Sequence, residues 1–294
     1  MEFRKLTLEC IDKLRPFFED NQCRICDCTI GVTFMWRDYH NTHYAVEDGI
    51  LYLSVTHPEQ GFAPPRSAGA VLDREPYERL IQHCGETGRP VRMCFVSETV
   101  MEGLLEMFPG SAVRTDRACT DYLYSSGDLI HLAGRKFAGQ RNHINRFLRE
   151  HPEWSFERIT GDNLNAAKDF IRKKAREIIK DSPTYSEGNI KAIEALDNLE
   201  AYRQFGGALY VNGEVIGVSL GEIVGDTLFV HTEKADPGYH GSYPILMNQF
   251  ARRFANEETK YINREEDDGE DGLRTSKLSY HPVDLLNKYT VELA

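Results

Sequence analysis

The sequence predicts an α+β chain of two domains, each with a mixed, mostly antiparallel sheet flanked by helices. Three observations carry that expectation. The chain has 294 residues, enough for two domains of ordinary size, and its 41% hydrophobic and 28% charged residues are a globular composition. The stretch GALYVNGEVIGVSLGEIVGDTLFVHTE holds three β-runs separated by Asn212-Gly213 and Gly225-Asp226, which makes an antiparallel meander. Around it the second half alternates helical and strand patterns, and the first half repeats a looser version of the same plan.

The elements follow in order. Leu8, Ile11, Leu14, Phe17 and Phe18 recur at helical spacing, so 8–19 reads as an amphipathic helix. HYAVEDGILYLSV is a hairpin turning at Asp48-Gly49. GFAPPRSAGA reads as a loop, DREPYERLIQHCGETG as a helix stopped by glycine, and VRMCFV as a short strand. SETVMEGLLEMF opens on a partial capping box, with Ser97 as the cap and Val100 where Glu would complete it. Residues 111–124 suit strands. A basic segment leads to the polar break HPEW at 151–154, which sets the expected border: one domain over 1–150, the other over 151–294. Helical patterns cover roughly 161–180 and 187–203, the second with Ile190, Ile193, Leu196 and Leu199 on one face. After the meander, DPGYHGSY opens a helix near 242–256. KYINRE is a strand, EDGLRTSKLSYH a short helix and NKYTVEL a last strand.

Charge narrows the function. The chain has 35 Lys+Arg against 46 Asp+Glu, a formal charge of −11, which argues against non-specific binding to nucleic acid or anionic membranes. One segment runs the other way. In GRKFAGQRNHINRFLRE, residues 134–150, five basic residues precede the first acid, Glu150. On a helical wheel Phe137, Ile144, Phe147 and Leu148 form an apolar stripe, and Arg146 and Arg149 lie opposite on a solvated face. Arg141 falls beside the stripe, where a guanidinium needs a carboxylate or a bound phosphate. Arg141 with Lys136 or His143 is therefore a candidate anion-binding group.

MEFRKLTLECIDKL has no apolar run of signal-peptide length, and no stretch approaches the ~20 apolar residues of a membrane helix. A cytoplasmic protein with no stable membrane insertion is expected. The seven cysteines are odd in number and confined to the first half, which suits reduced thiols. CRICDC, with Cys23, Cys26 and Cys28, lacks the second ligand pair of a zinc site, so no metal is expected.

Three stretches carry a resemblance: CDCTIGVTFMWRDYHNTHYAVEDGILYL, YLYSSGDLIHLAGRKFAGQRNHINRFLRE and INREEDDGEDGLRTSKLSYHPVDLLNKY. They span nearly the whole chain. They resemble an uncharacterised bacterial family that shares the C-terminal domain of phosphatidylglycerol lysyltransferases. The resemblance implies two tandem GNAT-like (acyl-CoA N-acyltransferase) domains, an arrangement also found in enzymes that take an aminoacyl group from tRNA. The chain lacks the membrane-spanning region of the phosphatidylglycerol lysyltransferases.

Candidate residues follow from the resemblance and the local pattern together. A GNAT acetyltransferase holds coenzyme A pyrophosphate on backbone N–H groups at a helix start, after Gln/Arg-x-x-Gly-x-Gly/Ala. Here Gly238, Gly241 and Ser242 can present N–H groups, but Gly238 stands where Gln or Arg should be, and Tyr243 replaces the small residue. A turn with no ligand is the competing reading. Glu265 and Glu266 end a strand that in GNAT-like folds borders the acyl-transfer cleft. Strand alternation points one of them toward it, as a base or an ammonium holder. Tyr280 matches the position of a tyrosine that protonates the leaving group in GNAT relatives, with Lys277 three residues earlier; a packed, half-buried ring is the alternative. His231 and Glu233 alternate to one strand face.

The expected function is transfer of an acyl or aminoacyl group from acyl-CoA or aminoacyl-tRNA to an amine or hydroxyl acceptor. The partners are a small-molecule acceptor and one of those donors. No tightly held cofactor is expected, and acyl-CoA enters only as a donor. The alternative is a non-catalytic ligand-binding module that keeps the GNAT fold.

Overall fold

The computed structural model describes residues 1–19, 23–69, 73–85, 88, 90–177 and 183–294. The ends of the expected helices over 73–88 and 161–180, and Ala70 of the expected loop, lie outside them. The chain divides into two compact units. One comprises Met1–Asp121, Glu266–Asp271 and Leu285–Ala294; the other Tyr122–Glu265 and Gly272–Asp284. The expected border at 150/151 is thus corrected: it falls inside the second unit, and HPEW is only the link from a helix to the next strand.

In chain order the first unit opens with β1 (Arg4–Lys5), α1 (Ile11–Leu14), α2 (Ile30–Met35), β2 (His43–Glu47) and β3 (Ile50–Val55). It continues with β4 (Gly61–Ser67), α3 (Glu75–Gly85), β5 (Arg92–Val96), α4 (Glu98–Met107) and β6 (Ala112–Thr115). The expected helix over 8–19 is α1 between two 3-10 turns. The hairpin forms as expected, with Asp48 and Gly49 both at positive φ. The expected loop over GFAPPRS is instead β4. Its pairs with β3 skip Pro64 and Pro65, so the residues without an N–H sit in a bulge and the ladder survives around them. Ser97 takes cap geometry but makes no side-chain cap bond.

The second unit carries β7 (Asp121–Ser125), α5 (Ser126–His131), α6 (Ala138–Glu150), β8 (Trp154–Arg158), α7 (Leu164–Glu177), α8 (Pro183–Asp197) and α9 (Leu199–Tyr202). The meander follows as β9 (Phe205–Val211), β10 (Glu214–Val224) and β11 (Thr227–Ala235), antiparallel as expected. Then come α10 (Ser242–Phe254), β12 (Tyr261–Asn263), α11 (Asp271–Leu278) and β13 (Asp284–Leu286), after which the chain returns to the first unit with β14 (Tyr289–Glu292). On α8, Leu196 is buried but Ile190 is 55% exposed, because Ala192, Ala195 and Leu196 set the buried face.

The first sheet has the order β1-β2-β3-β4-β5-β14-β6 and the second β13-β7-β12-β11-β10-β9-β8, each mixed and mostly antiparallel. Tyr52, Leu80, Met93, Leu104 and Val291 are among the core residues of the first unit. In the second, Phe147 of α6 and Ile245 and Leu246 of α10 pack on Leu209, Val211 and Ile216. The apolar stripe therefore faces the core, with Phe137 and Phe147 buried and Ile144 and Leu148 half-buried, and Arg135, Lys136, Arg146 and Arg149 are exposed. Among the described residues no helix is long and apolar enough to cross a membrane.

Candidate functional site

In the second unit β11 and β12 run parallel for three pairs only: Thr227 with Tyr261, Leu228 with Ile262 and Phe229 with Asn263. β11 goes on to Ala235, whereas the next residues after β12 bond to β7: Arg264 N–H donates to Tyr122 O at 3.1 Å and Tyr122 N–H to Glu265 O at 3.2 Å. The two strands therefore part beyond Phe229. A bulge shapes the parting. Leu220 pairs with Thr232 and Gly221 with Val230, so His231 is an extra residue. The bulge changes parity: the His231 ring stays with Phe229, stacked at 6.4 Å, while Glu233 joins Leu228 and Val230 beside Met247 and Phe250 of α10. The expectation that His231 and Glu233 share a face is corrected for this reason.

His231 is the centre of a buried charge triad. Its Nδ1 bonds Glu265 Oε1 at 2.8 Å and its Nε2 bonds Glu222 Oε1 at 2.9 Å. Burial alone would depress its pKa, but the two carboxylates outweigh burial and hold it up at about 10, so both ring nitrogens donate. Glu265 itself stands at φ 56, outside the strand. Asn263 Oδ1 accepts its N–H at 2.6 Å, and Lys277 Nζ donates to the carbonyls of Arg264 at 2.5 Å and Glu265 at 3.1 Å. This over-determined backbone explains how a side-chain-bearing residue occupies the left-handed region.

Lys277 is thus a buried clamp on the chain, not a surface group of its helix. α11 ends at Leu278, so Tyr280 lies beyond it. Its ring is buried under the Arg264 guanidinium at 4.9 Å, and burial pushes its hydroxyl up to about 12. Arg264 Nη2 bonds Glu233 Oε1 at 2.8 Å, while Nε and Nη1 are buried with no hydrogen-bond partner among the described residues. Arg264 and Glu222 were not singled out from sequence. Glu222 left a signal, as a carboxylate inside the apolar run SLGEIV. Arg264 left none beyond its place before Glu265.

Two of the three candidate donors of the glycine loop are used internally. Gly238 N–H donates to Asp236 Oδ1 at 2.9 Å and Ser242 N–H to Tyr239 O at 3.0 Å. Gly241 has φ 86, and a Cβ there would stand 2.4 Å from His143 O, so the glycine is required by packing on α6. The anion-holding reading of Gly238 and Ser242 is corrected accordingly. The basic trio is also spent on the fold. Arg141 Nη1 donates to the carbonyls of Leu132 at 2.5 Å and Gly134 at 2.6 Å, satisfying backbone groups after α5 and not a phosphate. Lys136 pairs with Asp128 at 2.7 Å, and His143 Nδ1 lies 2.9 Å from His240 Nε2.

The first unit holds a second constellation, built on Lys288. Its buried ammonium lies 2.7 Å from Asp27 Oδ2, 2.9 Å from Asp121 Oδ1 and 3.0 Å from Glu266 Oε2. It also donates to Cys26 Sγ at 3.1 Å. Asp121 Oδ2 accepts the Cys26 N–H at 2.6 Å. Burial lifts the Asp121 carboxyl to about 7, with the Lys288 charge opposing. Cys26, Asp121 and Glu266 bring donor atoms within 4.8 Å of one another, and the Lys288 ammonium already supplies these donors with a positive charge. Glu265 and Glu266 are consecutive, yet each serves a different unit. Neither lies in β12, so strand alternation is not what separates them.

The two mixed sheets are those of a tandem GNAT-like protein. The chain belongs to the family described as phosphatidylglycerol lysyltransferase, C-terminal, whose model matches residues 22–292. A conserved protein of unknown function from Bacteroides thetaiotaomicron VPI-5482 is 32% identical over 100% of both chains, with a TM-score of 0.91. L-PGS from Bacillus licheniformis shares the fold with a TM-score of 0.66 and 13% identity, over 96% of this chain and 91% of that one. An uncharacterized protein of Mycoplasmoides gallisepticum is 25% identical over 176 residues, 59% of this chain and 56% of that protein, so the chain spans little more than half of that relative.

Proposed function

We propose that the second unit transfers an aminoacyl group from aminoacyl-tRNA to an amine or hydroxyl acceptor. The observation that carries this reading is the parting of β11 and β12 over the Glu222–His231–Glu265 triad and the Arg264 guanidinium. Glu265 takes the proton of the acceptor as its nitrogen or oxygen attacks the ester carbonyl. Arg264 offers two N–H groups to the oxyanion of the tetrahedral intermediate. On collapse the ester bond breaks and the proton passes to the ribose oxygen that leaves. His231 holds Glu265 in place, and the nucleophile comes from the acceptor, so no Ser or Cys is required. The family description supports an aminoacyl donor. Use of the Gly238 and Ser242 N–H groups within the loop favours that donor over acyl-CoA.

The test uses bacterial tRNA charged with labelled amino acids, presented with phosphatidylglycerol vesicles, a polyamine or a peptide amine. Label should move to one acceptor faster than it hydrolyses, and Glu265→Gln, folded by circular dichroism, should lose the transfer. Transfer supported by acetyl-CoA and not by charged tRNA would overturn the donor. Failure of every donor would leave the ligand-binding module.

A further inference from the structure

We propose that Cys23 and Cys28 form a redox-active dithiol that closes reversibly into a disulfide on reaction with small disulfides. The geometry comes from the chain itself. Ile25 is extended and Cys26–Cys28 form a 3-10 turn, closed by Cys28 N–H on Ile25 O at 3.1 Å. That turn folds the sixth residue of CRICDC back onto the first. Their sulfur atoms lie 2.8 Å apart, with the Cys28 thiol donating to Cys23. Less than an ångström of side-chain movement separates this from the roughly 2.03–2.05 Å of a disulfide.

The pair is also polarised. The hydrogen bond from Cys28 pulls the Cys23 pKa down to about 7 against the opposing effect of burial, and the Arg66 charge helps. The proton that stabilises Cys23 is held by Cys28, whose pKa is raised well above its usual value by the same bond and by burial. Arg66 fixes the turn by donating to Cys28 O at 3.0 Å and Asp27 O at 3.2 Å. Cys23 is therefore the attacking thiolate and Cys28 the resolving thiol. Cys26, between them, is buried, and burial holds its thiol well above the usual range. Cys94 and Cys119 are likewise pushed up by burial, each to about 11.

With oxidised glutathione as the small disulfide, the Cys23 thiolate attacks one sulfur, the S–S bond breaks and one glutathione leaves as thiolate. Cys28 then gives up its proton and attacks Cys23 in the mixed disulfide. The second glutathione leaves as thiolate and takes up that proton. Two protein thiols lose two electrons, and one disulfide is reduced to two thiols. The closed bond spans the turn that carries Cys26 and Asp27, both partners of Lys288, so oxidation acts on the segment that holds that cluster.

The full chain is equilibrated in mixtures of reduced and oxidised glutathione, quenched in acid, alkylated and mapped by mass. Wild type should show one internal bond, between Cys23 and Cys28. Cys28→Ser should accumulate one glutathione on Cys23, and Cys23→Ser should form neither species. In wild type the alkylation rate of Cys23 should be half-maximal near pH 7 and should shift upward by roughly one unit or more in Cys28→Ser. No bond between these residues in oxidised glutathione alone would overturn the proposal, as would first reaction at Cys10 or Cys26. Wild-type mapping decides the matter even if a variant fails to fold.

Discussion

His231 carries a positive charge at a position where burial alone would remove it, and that makes stability depend on pH in a defined direction. Its pKa rises from 6.5 to about 10 on folding. Stability from the triad is thus fully present below pH 6.5 and is lost as pH climbs through about 10, a change of a few kcal/mol. Lys234 works the other way: burial pushes it from 10.5 to about 8, so stability from that group grows as pH rises between about 8 and 10.5, which overlaps the upper part of the His231 window. The comparison must therefore be between wild type and His231→Gln. By urea unfolding the stability gap between them should be wide at pH 6.5 and should narrow by pH 10; a constant gap would mean that His231 is neutral in the fold. Glu265→Gln should leave Glu222 as the one charged partner at hydrogen-bond distance in the triad. The imidazole titration followed by NMR should then move to lower pH, and an unmoved midpoint would deny the Glu265 contact. The consequence for site reading is that Glu265 is partly structural, so its variant must be shown folded before lost transfer is ascribed to chemistry.

At the scale of elements, the loop from Asp236 to α10 is shaped by packing. Gly241→Ala would place a methyl 2.4 Å from His143 O on a residue held at φ 86. The expected loss is about 2–4 kcal/mol by denaturant unfolding, from left-handed strain and a backbone clash together. A neutral result would show that the loop shifts freely off α6. The same loop marks how far the sequence could be read. Its glycines and its place before a helix were legible, because left-handed turns and helix starts leave local signatures. That its N–H groups were already taken by Asp236 and Tyr239 was not legible, because composition does not say which acceptor a donor meets. The meander, its turns and the stripe of α6 were readable from period and turn residues alone. The bulge at His231 was not, since one extra residue changes the face of Glu233 without changing any propensity. β4 failed for the opposite reason: two prolines argued locally for a loop, and a bulge in β4 absorbed them while its pairs with β3 held on either side. Lys288, Asp121 and Cys26 are far apart in sequence, and only the first unit's fold brings them together.

At the scale of the whole molecule, the units interleave along the chain, which changes sides after Asp121, Glu265, Asp271 and Asp284. A polar break such as HPEW looks like a linker in sequence, but linkers separate units only when each unit is continuous. Here β14, from the last residues, lies between β5 and β6 in the first sheet. Cutting at 150/151 would remove that strand and leave the facing edges of β5 and β6 without a partner, along with Val291 missing from the core. The complementary fragment 151–294 would lack β7, the neighbour of β12, together with α5 and α6, whose Phe147 fills its core. Each fragment thus exposes a sheet edge and an unfilled apolar surface at once. Expressed alone, residues 1–150 and 151–294 should aggregate or give poorly dispersed NMR spectra with no cooperative melt. Expressed together, they should recover one another and yield a soluble complex with the circular dichroism of the intact chain. A cooperative thermal transition from either fragment by itself would mean that β14 or β7 is dispensable, and the border read from sequence at 150/151 would then stand against the interleaved one.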